Sequence, residues 1–163
     1  MGRLHARAPD RAVELTGLPQ QMPRRILIVC KGNICRSPMA AAMLRRHVSD
    51  ADIQSAGLAA MAGSPIDPAA ERTLLAHGIS ASEHVARQIN SVLLDGADLV
   101  LAMERRQVAA LLALSPALRG RVFLLSRWSG GRDIADPYGR SQEKFDSAYA
   151  QIDAAVIEWR SRL

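Results

Sequence analysis

Cys30 and Arg36 bracket the run Cys30-Lys31-Gly32-Asn33-Ile34-Cys35-Arg36-Ser37-Pro38, and the residue types in it suit transfer of a phosphoryl group. Backbone N–H groups at a helix start converge on an anion, and the helix dipole adds favourable charge. Gly32 removes a Cβ where the chain must curl, and Asn33 tolerates a left-handed conformation. A thiol at the floor of such a cradle sits in a field that favours the nucleophilic thiolate, which makes Cys30 the candidate nucleophile. Arg36 can fold back over the loop and form a bidentate pair with two phosphoryl oxygens, a geometry lysine does not supply. Ser37 can donate its hydroxyl to the sulfur when the sulfur leaves. A bare Cys-x5-Arg is weak; the Gly, the Asn and the Ser-Pro at a helix start make the motif specific. It is not a nucleotide-binding Walker loop, because the chain has no Gly-Lys-Ser or Gly-Lys-Thr.

A phosphate ester with a leaving group as weak as a phenol also needs a proton donor, worth roughly 10²- to 10⁴-fold. Asp133 and Asp136 both lie in the Gly-, Asp- and Pro-rich stretch 126–140. The residues alone leave the two open, together with a plain Asp-Pro turn at Asp136-Pro137.

The elements that must position these groups follow from pattern. Ile26 to Val29 is an apolar, β-branched run of the kind expected in a strand buried on both faces. Pro38 suits a first helical turn, continued by Ala40 to Val48. A strand follows at Ile53 to Ala56, closed by Gly57. Asp67-Pro68 starts a helix that Gly78 ends after His77. Asp98 to Met103 reads as a third strand, Glu104 to Leu114 as a helix, and Val122 to Leu125 as a fourth strand. The stretch 126–140 is too irregular for either element, and loops of that length are usually functional. Phe145, Tyr149, Ile152, Val156, Trp159 and Leu163 recur at helical spacing and predict a last helix with its stripe in the core. Strands alternating with helices predict one α/β domain with a parallel sheet and right-handed crossovers, its site beyond the carboxyl ends of the strands.

Composition limits the alternatives. The 163 residues, 48% hydrophobic, suit one domain. The net charge of +5 rests almost wholly on arginine, since Lys31 and Lys144 are the only lysines, and it favours an anionic ligand. Neither aromatic interleaving nor a dense basic stripe supports nucleic acid. Residues 1–23, basic and broken by Pro and Gly, are expected to be a flexible extension, and the folded domain to run from 24 to 163. With no secretory core and no membrane-length apolar run, the chain is expected in the cytoplasm without membrane insertion. Two cysteines five residues apart form neither a disulfide framework nor a four-ligand metal site, so no metal and no cofactor is expected.

The run VCKGNICRSPMA resembles the amino-terminal signature of low-molecular-weight protein tyrosine phosphatases. The likeness continues through Ser55-Ala56-Gly57, His84-Val85-Ala86-Arg87-Gln88 and Asp136-Pro137-Tyr138, spanning residues 26 to about 160. It implies a Rossmann-like three-layer sandwich with a four-stranded parallel sheet in the order 2-1-3-4. It implies hydrolysis of phosphotyrosine through a cysteinyl phosphate, with Asp136 rather than Asp133 as the acid that serves the tyrosyl leaving group and later activates water. Lys31, Gly32, Asn33, Ile34, Cys35 and Ser37 are implied to form the phosphate loop with Cys30 and Arg36. Ile34 and Leu58 are implied as apolar walls around a phenyl ring and Tyr138 as an aromatic one, with Gly139 where many eukaryotic relatives have a second tyrosine. Asn33, Ser37, Ser55 and His77 match positions that brace the loop, although a His before Gly at a helix end also serves as a plain cap. Cys35 is close enough in sequence for a reversible disulfide with Cys30, or is an inert buried thiol. Trp128 either shapes the entrance or anchors its loop.

Thioredoxin-coupled arsenate reductases share the loop but need cysteines well downstream, and none follows Cys35. Protein arginine phosphatases are similar to a pattern with a small hydroxyl residue in place of Ile34. A noncatalytic phosphate-binding protein on the scaffold is expected to lack the thiol, the arginine or the acid. The resemblance runs most closely to the bacterial branch found with capsule and exopolysaccharide synthesis. This implies a phosphotyrosine protein as partner, a tyrosine autokinase, for a monomer or weak homo-oligomer.

Overall fold

The computed structural model describes residues 22–163. Most of the expected extension, residues 1–21, lies outside the described residues. The elements run β1 (Arg25–Cys30), α1 (Arg36–Arg45), β2 (Asp52–Gly57), α2 (Pro68–Ala76), α3 (Ser91–Gly96), β3 (Leu99–Ala102), α4 (Arg105–Leu114), β4 (Val122–Leu124) and α5 (Gln142–Arg160), with short 3-10 turns at Pro116–Leu118 and Leu125–Trp128. All strand pairs are parallel, in the order β2-β1-β3-β4. This is the sheet that the sequence resemblance implied.

Alternation along the strands explains the three layers, because successive side chains point to opposite faces. Ile26, Ile28, Leu99, Leu101 and Met103 face a core shared with α1, α2 and α5. Leu27, Val29, Val100, Ala102 and Val122 face the other, with Leu94, Leu111 and Leu118. The stripe of α5 is core as expected: Phe145, Ile152, Val156 and Trp159 are at most 2% exposed. The Trp159 indole N–H, which has to find a partner once buried, donates to the Leu125 carbonyl at 2.7 Å.

Several boundaries move. The first helix begins at Arg36, earlier than Pro38 suggested, and ends at Arg45. The six-residue α3 has no sequence-based counterpart; Asn90 caps it by accepting from Leu93 N at 2.9 Å. Six residues are too few to show helical periodicity. The stretch after β4 starts as a 3-10 turn instead of irregular chain.

Candidate active site

The loop from Cys30 to Cys35 leaves β1 and enters α1 at the carboxyl edge of the sheet. Its carbonyls are taken, one after another, by groups outside the loop. Cys30 O accepts from Leu58 N (3.0 Å), Lys31 O from Ala59 N (2.9 Å), Gly32 O from Met61 N (3.0 Å) and Ile34 O from Asp67 N (2.8 Å). Asn33 O meets His84 Nε2 at 2.6 Å. In a trans peptide the N–H points opposite to the C=O, so carbonyls held outward turn the amides inward. The start of α1 strengthens this field: Cys35 makes no side-chain cap and the first turn holds no acidic residue, leaving the helix amides to an anion.

Asn33 fixes the curl. Among the described residues it is the one non-glycine residue with a positive φ, 58°, and it is fully buried. Its Nδ2 donates to Ser37 Oγ (2.8 Å) and Ser55 Oγ (3.0 Å), while its Oδ1 accepts from Arg87 N (2.9 Å). Because Ser37 Oγ accepts from Asn33, its own proton is free for Cys30 Sγ, 2.9 Å away. The sulfur also accepts from Asn33 N at 3.3 Å. Gly57 keeps the outer strand close: a Cβ there would lie 2.6 Å from Lys31 O.

Arg36 is 1% exposed despite its charge. Its Nη1 donates to Glu104 Oε1 (2.6 Å) and to Ile134 O (2.7 Å), and its Nη2 lies 3.6 Å from Asp136 Oδ2. Burial alone would push the Glu104 carboxyl up; the hydrogen bonds and charges of Arg36 and Arg106 outweigh it and hold the group below the usual carboxylate range. A cavity of about 130 Å³ opens over the loop, lined by Cys30, Lys31, Gly32, Ile34, Cys35, Arg36, Ala59, Met61, Asp136 and Tyr138. A larger cleft of about 280 Å³ at the other end of β1, between Arg25, Asp52 and Val92, holds no thiol.

The two candidate acids separate. Asp136 reaches the cavity beside Arg36, whereas Asp133 Oδ1 accepts from Arg105 N at 2.9 Å and so satisfies an amide at the start of α4. Tyr138, half exposed, stands at the cavity rim. Two expected placements differ. Leu58 packs against the apolar cluster beneath the sheet and does not line the cavity; the turn that follows β2 leaves Ala59 and Met61 at the mouth. His77 does not reach the loop: its Nδ1 bonds Thr73 O at 2.9 Å and its ring stacks on Tyr149 at 3.9 Å, as a helix-end residue one turn on from Thr73 would. His84 occupies the bracing place, and burial, with Arg45 and Arg87 nearby, pushes its imidazole below the ordinary histidine value.

Glu104 and Met61 were not singled out by sequence. Glu104 directly follows the buried third strand at the carboxyl edge of the sheet, which is a usable signal; Met61 has none. Trp128 lies edge-on to Trp159 at 6.0 Å under Arg162, so it anchors its loop and does not shape the entrance. Both cysteines are free. Burial pushes the Cys35 thiol well up, with Asp67, Asp136 and Cys30 adding to it. Among the described residues no three His, Cys, Asp or Glu side chains are placed to hold a metal ion, and no helix is long and apolar enough to cross a membrane.

The profile of the family described as low molecular weight phosphotyrosine protein phosphatase matches residues 25–163. The chain belongs to this family. It is 41% identical over 142 residues to the low molecular weight protein-tyrosine-phosphatase Wzb of Salmonella typhimurium, covering 87% of this chain and 95% of that protein. Among solved structures, Vibrio vulnificus Wzb in complex with benzylphosphonate superposes with a TM-score of 0.84 at 36% identity, covering 86% of this chain and 99% of that one. The YwlE arginine phosphatase from Geobacillus stearothermophilus does so with a TM-score of 0.80 at 34% identity, covering 86% and 92%.

Proposed function

We propose that this family member hydrolyses phosphotyrosine in two steps at Cys30. The Cys30 sulfur attacks phosphorus while the tyrosyl oxygen–phosphorus bond breaks, and Asp136 gives its proton to the departing oxygen. Asp136, now a carboxylate, takes a proton from water as that water attacks the cysteinyl phosphate; the sulfur leaves toward the Ser37 hydroxyl. The inward amides and Arg36 carry the charge of the three equatorial oxygens through both steps.

The observation that carries this reading is the convergence on one small cavity of a sulfur hydrogen-bonded by Ser37, a buried arginine and a partly exposed aspartate. The apolar wall favours an aryl phosphate over a phosphoguanidine, since Ile34 and Met61 offer no hydrogen-bond acceptor to guanidinium nitrogens. Kinship to Wzb phosphatases supports a phosphotyrosine protein as substrate. We extend this to a bacterial tyrosine autokinase of exopolysaccharide or capsule synthesis, met in the cytoplasm by a monomer or weak homo-oligomer, without metal or cofactor.

The test compares p-nitrophenyl phosphate, a phosphotyrosine peptide, phosphoserine and phosphoarginine. Wild type is expected to prefer the aryl phosphates, and Cys30→Ser to lose at least about 10⁴-fold in kcat. A wild type that binds phosphate in reducing buffer yet hydrolyses none of them is a binding module on this scaffold. Preference for phosphoarginine overturns the aryl assignment.

A further inference from the structure

The cavity over the loop carries a charge that the two chemical steps do not use. Lys31 and Arg36 are the basic residues that line it, and they are held in opposite ways. Arg36 is buried and committed to Glu104 and Ile134, whereas Lys31 is exposed. Among the described residues no carboxylate lies within ion-pair distance of the Lys31 ammonium. Only the root of the side chain is fixed. Lys31 O accepts from Ala59 N at 2.9 Å, and the chain at Gly57 passes so close that a Cβ there would lie 2.6 Å from that same oxygen. The next carbonyl, Gly32 O, accepts from Met61 N at 3.0 Å. A lysine rooted in this way, on a flexible four-carbon stem, carries a strongly hydrated point charge toward solvent.

We infer that Lys31 is a specificity-determining residue that selects phosphotyrosine segments with a carboxylate side chain beside the phosphotyrosine. The inference rests on the phosphatase reading and adds to it the charge class of the substrate segment. With the phosphoryl group held by the inward amides and Arg36, the tyrosyl ring fills the cavity and the residues flanking it in sequence come to the rim. The other groups at the rim do not set the sign of the charge there. Ala59, Met61 and Tyr138 are neutral. The exposed Arg106 is engaged by Glu104 at 2.7 Å. Asp136 is the one acidic residue lining the cavity; it stands 3.6 Å from Arg36 Nη2 and is protonated when it serves the leaving group, so it does not repel an acidic flank in the first step. The unpaired ammonium of Lys31 is what remains for a partner to meet, and its complement is a carboxylate.

The test uses phosphotyrosine peptides identical except for Glu, Gln or Lys on both sides of the phosphotyrosine, with wild type, Lys31→Met and Lys31→Glu, each checked for folding by thermal denaturation. Substituting a residue of the loop changes turnover in general, so the quantity read is the ratio of kcat/KM between peptides within each protein. Exposed ion pairs are weak, and wild type is expected to favour the Glu peptide over the Gln peptide by about three- to fivefold at low salt. The preference should shrink toward one as salt is raised to about 0.5 M. Lys31→Met is expected to bring the ratio to about one, and Lys31→Glu to favour the Lys peptide instead. A Glu preference that survives Lys31→Met overturns the inference, and so does a wild type indifferent to the flanks. If Lys31→Met weakens both p-nitrophenyl phosphate turnover and inhibition by inorganic phosphate while the peptide ratio stays as in wild type, Lys31 is a phosphate ligand and not a reader of flanks. If wild type hydrolyses none of the peptides, the phosphatase reading fails instead, and the same ratios taken from peptide dissociation constants, measured by calorimetry, still decide the role of Lys31.

Discussion

The cradle and the arm that carries Asp136 border one cavity and are secured very differently. Asn33, Arg36, Ser37 and Ser55 are all buried, and the loop carbonyls from Cys30 to Ile34 each have a partner from another segment. Asp136, by contrast, keeps 35% of its side chain exposed. The arm is anchored upstream, where Ile134 is buried, its amide donates to Met103 O and its carbonyl accepts from Arg36. Beyond Ile134 the carboxylate is oriented by Tyr138 N at 3.1 Å. A group that binds the same three oxygens in every state gains from rigidity. One that must hand over a proton and then take one from water gains from access to solvent.

Substituting the arm should therefore damage chemistry while sparing the fold, and this is the largest effect expected. Asp136→Asn is predicted to lower kcat on a phosphotyrosine peptide by about 10²- to 10⁴-fold. The loss should be much smaller on an aryl phosphate with a more acidic phenol, whose anion leaves unaided, and urea denaturation should be nearly unchanged. A matched loss on both substrates would mean that Asp136 shapes the site and transfers no proton. Substituting the cradle should do the reverse. Asn33→Ala removes three hydrogen bonds from a buried site and puts a less tolerant residue at a left-handed φ, which together cost about 2–4 kcal/mol in urea denaturation. A loss under about 1 kcal/mol would place the rigidity of the loop elsewhere.

The smallest effect is the pH response of the brace. His84 is held below its ordinary value by burial, so the unfolded chain takes up its proton first as pH falls. The stability it contributes is complete above about pH 6.5 and is lost as pH falls through the lower folded value. Melting temperature is expected to decline between about pH 6.5 and 5 in wild type and to flatten in His84→Gln. Glu104, also depressed, adds its own loss only below about pH 4.5. Identical profiles for the two proteins would remove His84 from the bracing set.

The same contrast explains what could be read from the sequence. The cradle is one continuous run, and its chemistry is local: a thiol, a residue for the left-handed turn, an arginine and a helix start in order. The sheet was legible because its strands are apolar throughout and interrupted by helices. What surrounds the cradle comes from distant segments whose local patterns are mute. Resemblance pointed to His77, but only the folded chain shows that the loop from Ser80 brings His84 to Asn33. Leu58 and Met61 both lie past the end of β2 at Gly57, in irregular chain that carries no periodic signal; Leu58 packs on the apolar cluster and Met61 lines the cavity. Asp133 and Asp136 were indistinguishable by type, and their separation depends on where α4 begins.

The strand that ends at Cys30 is central in space and the first strand among the described residues. Ile26 finds Ile53 on one side soon after, but its other neighbour, Leu99, arrives only once three helices have been made. Closing so long a loop is entropically slow relative to local contacts. The thiol thus sits on a strand that waits, half-paired, for the rest of the protein, and Asp136 comes later still. Catalytic competence is accordingly a property of the finished chain, and a fragment that ends before the fourth strand carries the whole signature motif without the enzyme.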